Sequence, residues 1–188
     1  EAAKSFITEL PRHVRVGIVA FAGSAQVTQL PTVNREDLTT AIDSFQLQRG
    51  TATGNGIVMS LATLFPDAGI DMAALGNNNG NARNGARSLS SPAPNADQAA
   101  KEFTPVPPGS YTSAAIIMLT DGQRTTGVDP LEAAKLAADR GVRVYTVGIG
   151  TVDGETIGFE GWSMRVKLDE ETLKSIATRT QGEYFYAG

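Results

Sequence analysis

Cysteine is absent from the 188 residues, so neither a disulfide framework nor a thiolate metal site is available, and the redox compartment stays open. Histidine occurs once, at His13, between Arg12 and a strand-like run. With no acidic cluster beside it, it reads as a loop residue and offers no imidazole-based acid–base chemistry. No apolar run approaches the ~20 residues of a membrane-spanning helix, and no signal peptide is visible. An excess of basic charge is also missing. Sixteen Lys and Arg stand against 20 Asp and Glu, for a formal charge of −4 and an isoelectric point near 5.0. That balance argues against nucleic acid or an anionic membrane surface as the main partner. What is present, 41% hydrophobic and 19% charged residues, fits one globular domain with an adequate core.

Apolar strands alternate with amphipathic helices along the chain, a pattern that predicts a mostly parallel sheet covered on both faces. Arg15 to Phe21 reads as a strand, Gly23-Ser24 as a tight turn, and Gln26 to Leu30 as the antiparallel partner. Asn34 offers an N-cap for a helix from Arg35 to Phe45, and the glycines Gly54 and Gly56 open a second helix that ends before Pro66. Asp129-Pro130-Leu131-Glu132 is a helix start with a capping carboxylate and proline at the first position, and Gly141 is placed to end that helix in a left-handed conformation. Arg143 to Ile149 reads as the next buried strand. Asp153-Gly154 and the stretch from Phe159 to Lys167 suggest a hairpin, Asp169 caps a last helix through Thr180 that Gly182 stops, and Glu183 to Tyr186 is the final strand.

The stretch 67–113 breaks this rhythm, being rich in Gly, Asn, Ala, Ser and Pro. It buries too little apolar area to offset its ordering entropy, so it is expected to be a long polar surface insertion within a single 1–188 domain.

The segment from Ala114 to Gly127 carries the chemistry. Its apolar run stops at Thr120-Asp121-Gly122, which puts a carboxylate where a buried strand emerges into a loop, the place where open α/β sheets bind ligands. Gly50-Thr-Ala-Thr-Gly-Asn-Gly-Ile57 supplies a second loop with hydroxyls; no Lys follows its glycines, so the P-loop spacing is absent. Together with Arg143-Val-Tyr-Thr-Val-Gly-Ile-Gly150, these elements resemble the von Willebrand factor type A (VWA) family. Pro130-Leu-Glu-Ala-Ala134 and Asp169-Glu-Glu-Thr-Leu-Lys-Ser-Ile-Ala177 resemble its bacterial, membrane-anchored aerotolerance (Bat-like) subgroup.

The resemblance implies an α/β fold: a doubly wound, mostly parallel open sheet with one antiparallel strand. It also implies a metal-ion-dependent adhesion site (MIDAS), in which Thr51 and Asp121 are the metal ligands and Thr53, Gly122 and Gln123 belong to the supporting loops. Thr51 has a plainer alternative as a helix cap; Thr53 reads equally as a cap, a hydrogen-bonding support or a contact to metal. The family's Asp-x-Ser-x-Ser does not occur in the sequence, so the chain is expected to be an N-terminally truncated form that lacks the first, central strand and its ligands. The implied cofactor is Mg²⁺, or Mn²⁺ or Ca²⁺, in the intact protein, with weak or no occupancy in this stretch alone. The implied work is protein–protein binding, in which an acidic residue of a partner completes the coordination of the cation. The partners are expected in a membrane-associated complex on the extracytoplasmic side, anchored by segments outside this sequence. Without the first strand, the strands at Val14 to Phe21 and Ile116 to Thr120 would present two apolar edges. They are expected either to pair directly or to take up a strand from this or a neighbouring chain, by strand exchange or dimerisation. A scaffolding domain with no functional metal site is the alternative. A metal-dependent hydrolase is disfavoured, because no further carboxylates or histidine converge on the loops. Trp162, Tyr184, Phe185 and Tyr186 read as packing residues.

Overall fold

The computed structural model describes residues 2–45, 50–70, 103–120, 124–149, 155–159, 162–166 and 168–187. The ligand candidate Asp121, its neighbours Gly122 and Gln123, the turn at Asp153-Gly154 and most of the 67–113 insertion lie outside them.

Helix α1 (Ala2–Glu9) leads into strands β1 (Val16–Phe21) and β2 (Ala25–Thr32), which pair antiparallel around a turn closed by the Ala22 N–H on the Ser24 carbonyl at 2.9 Å. Helix α2 (Arg35–Asp43) starts where Asn34 accepts a 3.1 Å hydrogen bond from the Glu36 N–H. It stops two residues short of Phe45, whose ring is exposed. Helix α3 (Thr53–Leu64) follows, with a short 3-10 turn at Pro66–Ala68.

Strand β3 (Ala115–Thr120), helix α4 (Pro130–Asp139), strand β4 (Arg143–Ile149), helix α5 (Glu170–Thr180) and strand β7 (Tyr184–Ala187) build a three-stranded parallel sheet of order β3-β4-β7. The hairpin β5 (Glu155–Phe159) and β6 (Trp162–Val166) pairs antiparallel. Phe159 pairs with Trp162 at its closed end, and the Asp153-Gly154 signal lies outside the described residues.

The α/β class is the expected one, as a three-stranded parallel sheet with separate antiparallel pairs, but among the described residues helices cover one face of the parallel sheet instead of both. The core lies where α3, α4 and α5 cover that face, with Ile57, Val58 and Leu61 against Ile116, Met118 and Val144, and with Leu173 and Ile176 closing the far side. Helix α4 presents Ala133, Ala134, Ala137 and Ala138 to this core, all buried. Its start is as expected: the Asp129 carboxylate accepts from the Leu131 and Glu132 N–H groups at 2.8 and 3.3 Å, with Pro130 in the first turn, and Gly141 follows at φ 71°. On the opposite face of the sheet Ile117, Ile149 and Phe185 are exposed.

Helix α5 stops before Gly182, as expected, with Gln181 at φ 57° as the left-handed residue that ends it. Gly182 is needed for another reason, since a Cβ there would run into the Val144 carbonyl. Of the two outcomes expected for the apolar strands, direct pairing is not taken: β1 and β3 belong to separate hydrogen-bonded sheets, bridged by α3, which packs against both.

Buried threonines tie α5 to the sheet. Thr146 donates to the Leu173 carbonyl at 3.0 Å, and the Thr180 hydroxyl accepts from the Val144 N–H at 2.9 Å.

Candidate functional site

Three loops meet at the C-terminal ends of β1 and β3. The first is the β1–β2 turn, whose Ala22 carbonyl accepts from the Ala52 N–H at 2.5 Å. The second, residues 50–53, enters α3. Gly50 adopts φ +91° there, and a Cβ on it would stand 3.3 Å from the Gly23 Cα and 3.2 Å from the Thr125 hydroxyl, so a side chain would be strained in both respects. The third is the segment 124–129 that follows β3.

The second and third loops are joined in both directions. The Thr51 N–H donates to the Thr125 hydroxyl at 2.7 Å, the Thr125 N–H donates to the Thr51 carbonyl at 3.0 Å, and the Val128 N–H donates to the Asn55 side-chain oxygen at 2.7 Å. Gly54 packs so closely on the Val128 carbonyl that a Cβ would overlap it. Arg124 donates to the Gly127 carbonyl at 3.3 Å and stands 3.8 Å from the Asp129 carboxylate. Both ends of that pair are more than 40% exposed, so the ion pair adds little.

Thr51 is thus brought against the segment that resumes after Asp121. Its backbone is committed to Thr125, and its hydroxyl makes no hydrogen bond among the described residues. The capping alternative for Thr51 is not taken: Ala52 is the N-cap of α3, and no side chain caps that helix. Thr53 is fully buried, and its hydroxyl has no partner among the described residues. Thr120, the last residue of β3, is 6% exposed. An uncommitted hydroxyl at a loop tip suits a hard, oxygen-seeking cation. Among the described residues no cluster of three or more His, Cys, Asp or Glu occurs, and the candidate carboxylate, Asp121, lies outside them.

Sequence reasoning did not single out Asn55 and Thr125. Their signals were a polar residue between Gly54 and Gly56 and a threonine soon after the Asp-Gly, neither of which is specific.

The described part of the insertion sits elsewhere. Val106 and Tyr111 donate their N–H groups to the Asp139 and Gly141 carbonyls at 2.8 and 3.0 Å, Phe103 lies under the Arg140 guanidinium at 4.3 Å, and Tyr111 meets the Phe65 ring edge-on at 5.2 Å. These contacts hold residues 103–111 at the N-terminal edge of the parallel sheet, opposite the loop junction.

Residues 95–187 match the von Willebrand factor type A domain. This chain belongs to the VWA family. The chain is 32% identical over 201 residues to a "UPF0353 protein" of Nocardia farcinica, covering 100% of this chain and 50% of that protein. It spans about half the length of the curated relatives it matches. Its fold is similar to that of BatB from Bacteroides thetaiotaomicron, at TM-score 0.65 and 23% identity over 98% of this chain and 76% of that one. It is also similar to an aerotolerance-related membrane protein from Bacteroides fragilis, at TM-score 0.66 and 20% identity over 98% and 77%. A mussel byssus protein, proximal thread matrix protein 1 with a zinc-occupied MIDAS motif, matches at TM-score 0.54 and 17% identity over 99% of this VWA chain and 35% of its own. At these identities the likeness establishes the fold. Among the described residues no helix of the VWA domain is long and apolar enough to cross a membrane.

Proposed function

We propose that this VWA domain binds a partner protein through a divalent cation held at the loop ends around Thr51 and Asp121, with an acidic residue of the partner completing the coordination. The observation that carries this reading is the docking of Thr51 onto the segment just beyond Asp121, with the threonine hydroxyl making no hydrogen bond among the described residues. Mg²⁺ takes about six oxygen ligands in near-octahedral geometry and retains several waters, so a carboxylate and a hydroxyl contribute only as part of a larger oxygen set. Mn²⁺ and Ca²⁺ use the same donor chemistry. Thr53, Gly122 and Gln123 support the loops, and neither a nucleophile nor a proton shuttle is called for. The zinc-occupied motif of the mussel protein supports a cation-binding role for the fold. The Bacteroides fragilis relative, described as a membrane protein, supports a place in a membrane-associated complex, here on its extracytoplasmic side and in the Bat-like subgroup.

Mg²⁺ titration of the full-length protein against an Asp121→Ala variant tests the reading. Loss of affinity in the variant is expected, and equal affinity removes the site assignment. Partner binding that survives a chelator would favour a metal-free scaffolding role.

A further inference from the structure

We infer that Thr125 and Asn55 are positioning residues, whose side-chain oxygens clamp the main chain of residues 124–128 onto the 50–55 loop before any cation or partner arrives. The inference rests on the adhesion-site reading only for its consequence; the clamp itself is a matter of geometry.

Each of the two side chains serves a backbone N–H of the opposite loop. Thr125 accepts from Thr51 across 74 residues of sequence, and Asn55 accepts from Val128 across 73. Neither Thr51, just ahead of α3, nor Val128, in the 124–129 loop, lies in a helix or strand, so without these acceptors both N–H groups would depend on water. Backbone shape is adapted to the clamp on both sides. Gly127, at φ +82°, packs against the Asn55 side chain just before the Val128 amide, and Gly54 admits the Val128 carbonyl at the helix surface. Val128 itself is only 3% exposed and sits in the core cluster, which anchors the far end of the loop. The loop is therefore tied at its middle by Thr125 and at its base by Asn55. Groups that hold ligands in place are often as consequential as the ligands, and their removal weakens metal binding by roughly ten- to a hundredfold. A loop ordered in advance also spares the ordering cost on binding.

The test uses Thr125→Val and Asn55→Leu, which remove the acceptors at near-constant volume, and Thr125→Ser, which keeps the hydroxyl. Hydrogen exchange of the 50–55 and 124–129 segments is measured without divalent cation, and Mg²⁺ affinity is measured on the full-length protein beside Asp121→Ala. The expected result is faster exchange of the Thr51 amide in Thr125→Val and of the Val128 amide in Asn55→Leu, with Mg²⁺ affinity lowered about tenfold in each and Thr125→Ser close to wild type in both measurements. Asn55→Asp, which keeps the acceptor, is expected to restore slow exchange. Native-like circular dichroism in the Val and Leu variants guards against general unfolding as the cause. Unchanged exchange in both acceptor-deleting variants overturns the clamp. If Asp121→Ala loses Mg²⁺ while Thr125→Val and Asn55→Leu bind it like wild type, the positioning role falls and the adhesion-site reading stands. If exchange accelerates while Asp121→Ala binds Mg²⁺ normally, the adhesion-site reading falls and the clamp stands.

Discussion

Thr180→Val tests whether a side-chain hydroxyl replaces a missing piece of the β-ladder. Strand β7 joins β4 only from Thr146 onward, where Thr146 pairs with Tyr184 and its N–H reaches the Glu183 carbonyl at 3.0 Å. Val144, two residues earlier on the same side of β4, lies beyond the end of β7, and its N–H is received instead by the Thr180 hydroxyl at 2.9 Å. That hydroxyl directs its own proton toward carbonyls of the preceding turn, with Ile176 at 3.0 Å. Both residues are fully buried. Valine preserves the shape but leaves the Val144 N–H without an acceptor and without water, at a cost of about 1–3 kcal/mol. For a domain of this size that corresponds to a melting temperature lower by roughly 2–4 °C per kcal/mol. Serine keeps the acceptor and gives up one methyl, worth about 0.8 kcal/mol of burial. Urea unfolding with an unchanged slope should rank wild type above Thr180→Ser and Thr180→Ser above Thr180→Val. A valine variant as stable as wild type, or a serine variant weaker than the valine one, would refute the reasoning.

Two other outcomes are open to direct measurement. Asp129→Ala removes the acceptor for the Leu131 and Glu132 amides and should destabilise the domain by about 1 kcal/mol in chemical denaturation, whereas Asp129→Asn should restore most of it. Burial, followed by a 2.8 Å hydrogen bond to the Glu170 carboxylate, pushes the Tyr184 phenol up to about 12 from 10.0. Because its folded-state value is raised, this contribution to stability is fully present below pH 10.0 and is lost as pH rises toward about 12. Tyr184→Phe should flatten the alkaline arm of the stability–pH curve in that window, and an unchanged arm would exclude Tyr184 as its source.

The starts of α2, α4 and α5 were legible because a cap is local chemistry: Asn34, Asp129 and Asp169 each accept from an amide two or three residues on. The strand β4 was legible because Val144 to Ile149 is a short uncharged run rich in β-branched and aromatic residues between Gly141 and Gly150, although the positions it buries are Val144, Thr146 and Gly148. Gly182 shows where local reading stops. The usual association of glycine with a left-handed helix end points to it, yet Gln181 takes that conformation, and the glycine answers to the Val144 carbonyl, 38 residues away in sequence. The separation of β1–β2 from β3–β4–β7 is likewise a matter of long-range pairing that strand periodicity does not encode. At the loop junction Thr51 could be picked from its motif. Asn55 and Thr125 could not, since their partners lie more than 70 residues distant and only the folded chain brings them within reach.

The alanine side of α4 has a practical corollary. Ala133, Ala134, Ala137 and Ala138 are already the smallest residues a helix accommodates well, so the seam tolerates change in neither direction. Larger residues would wedge the layers apart, and glycine would loosen the helix by about 0.5–1 kcal/mol per site. The solvent side of the same helix, at Glu132 and Lys135, is unconstrained by packing. Fluorophores or spin labels attached there would report on the molecule without disturbing its interior, and natural sequence drift should concentrate on that outer stripe.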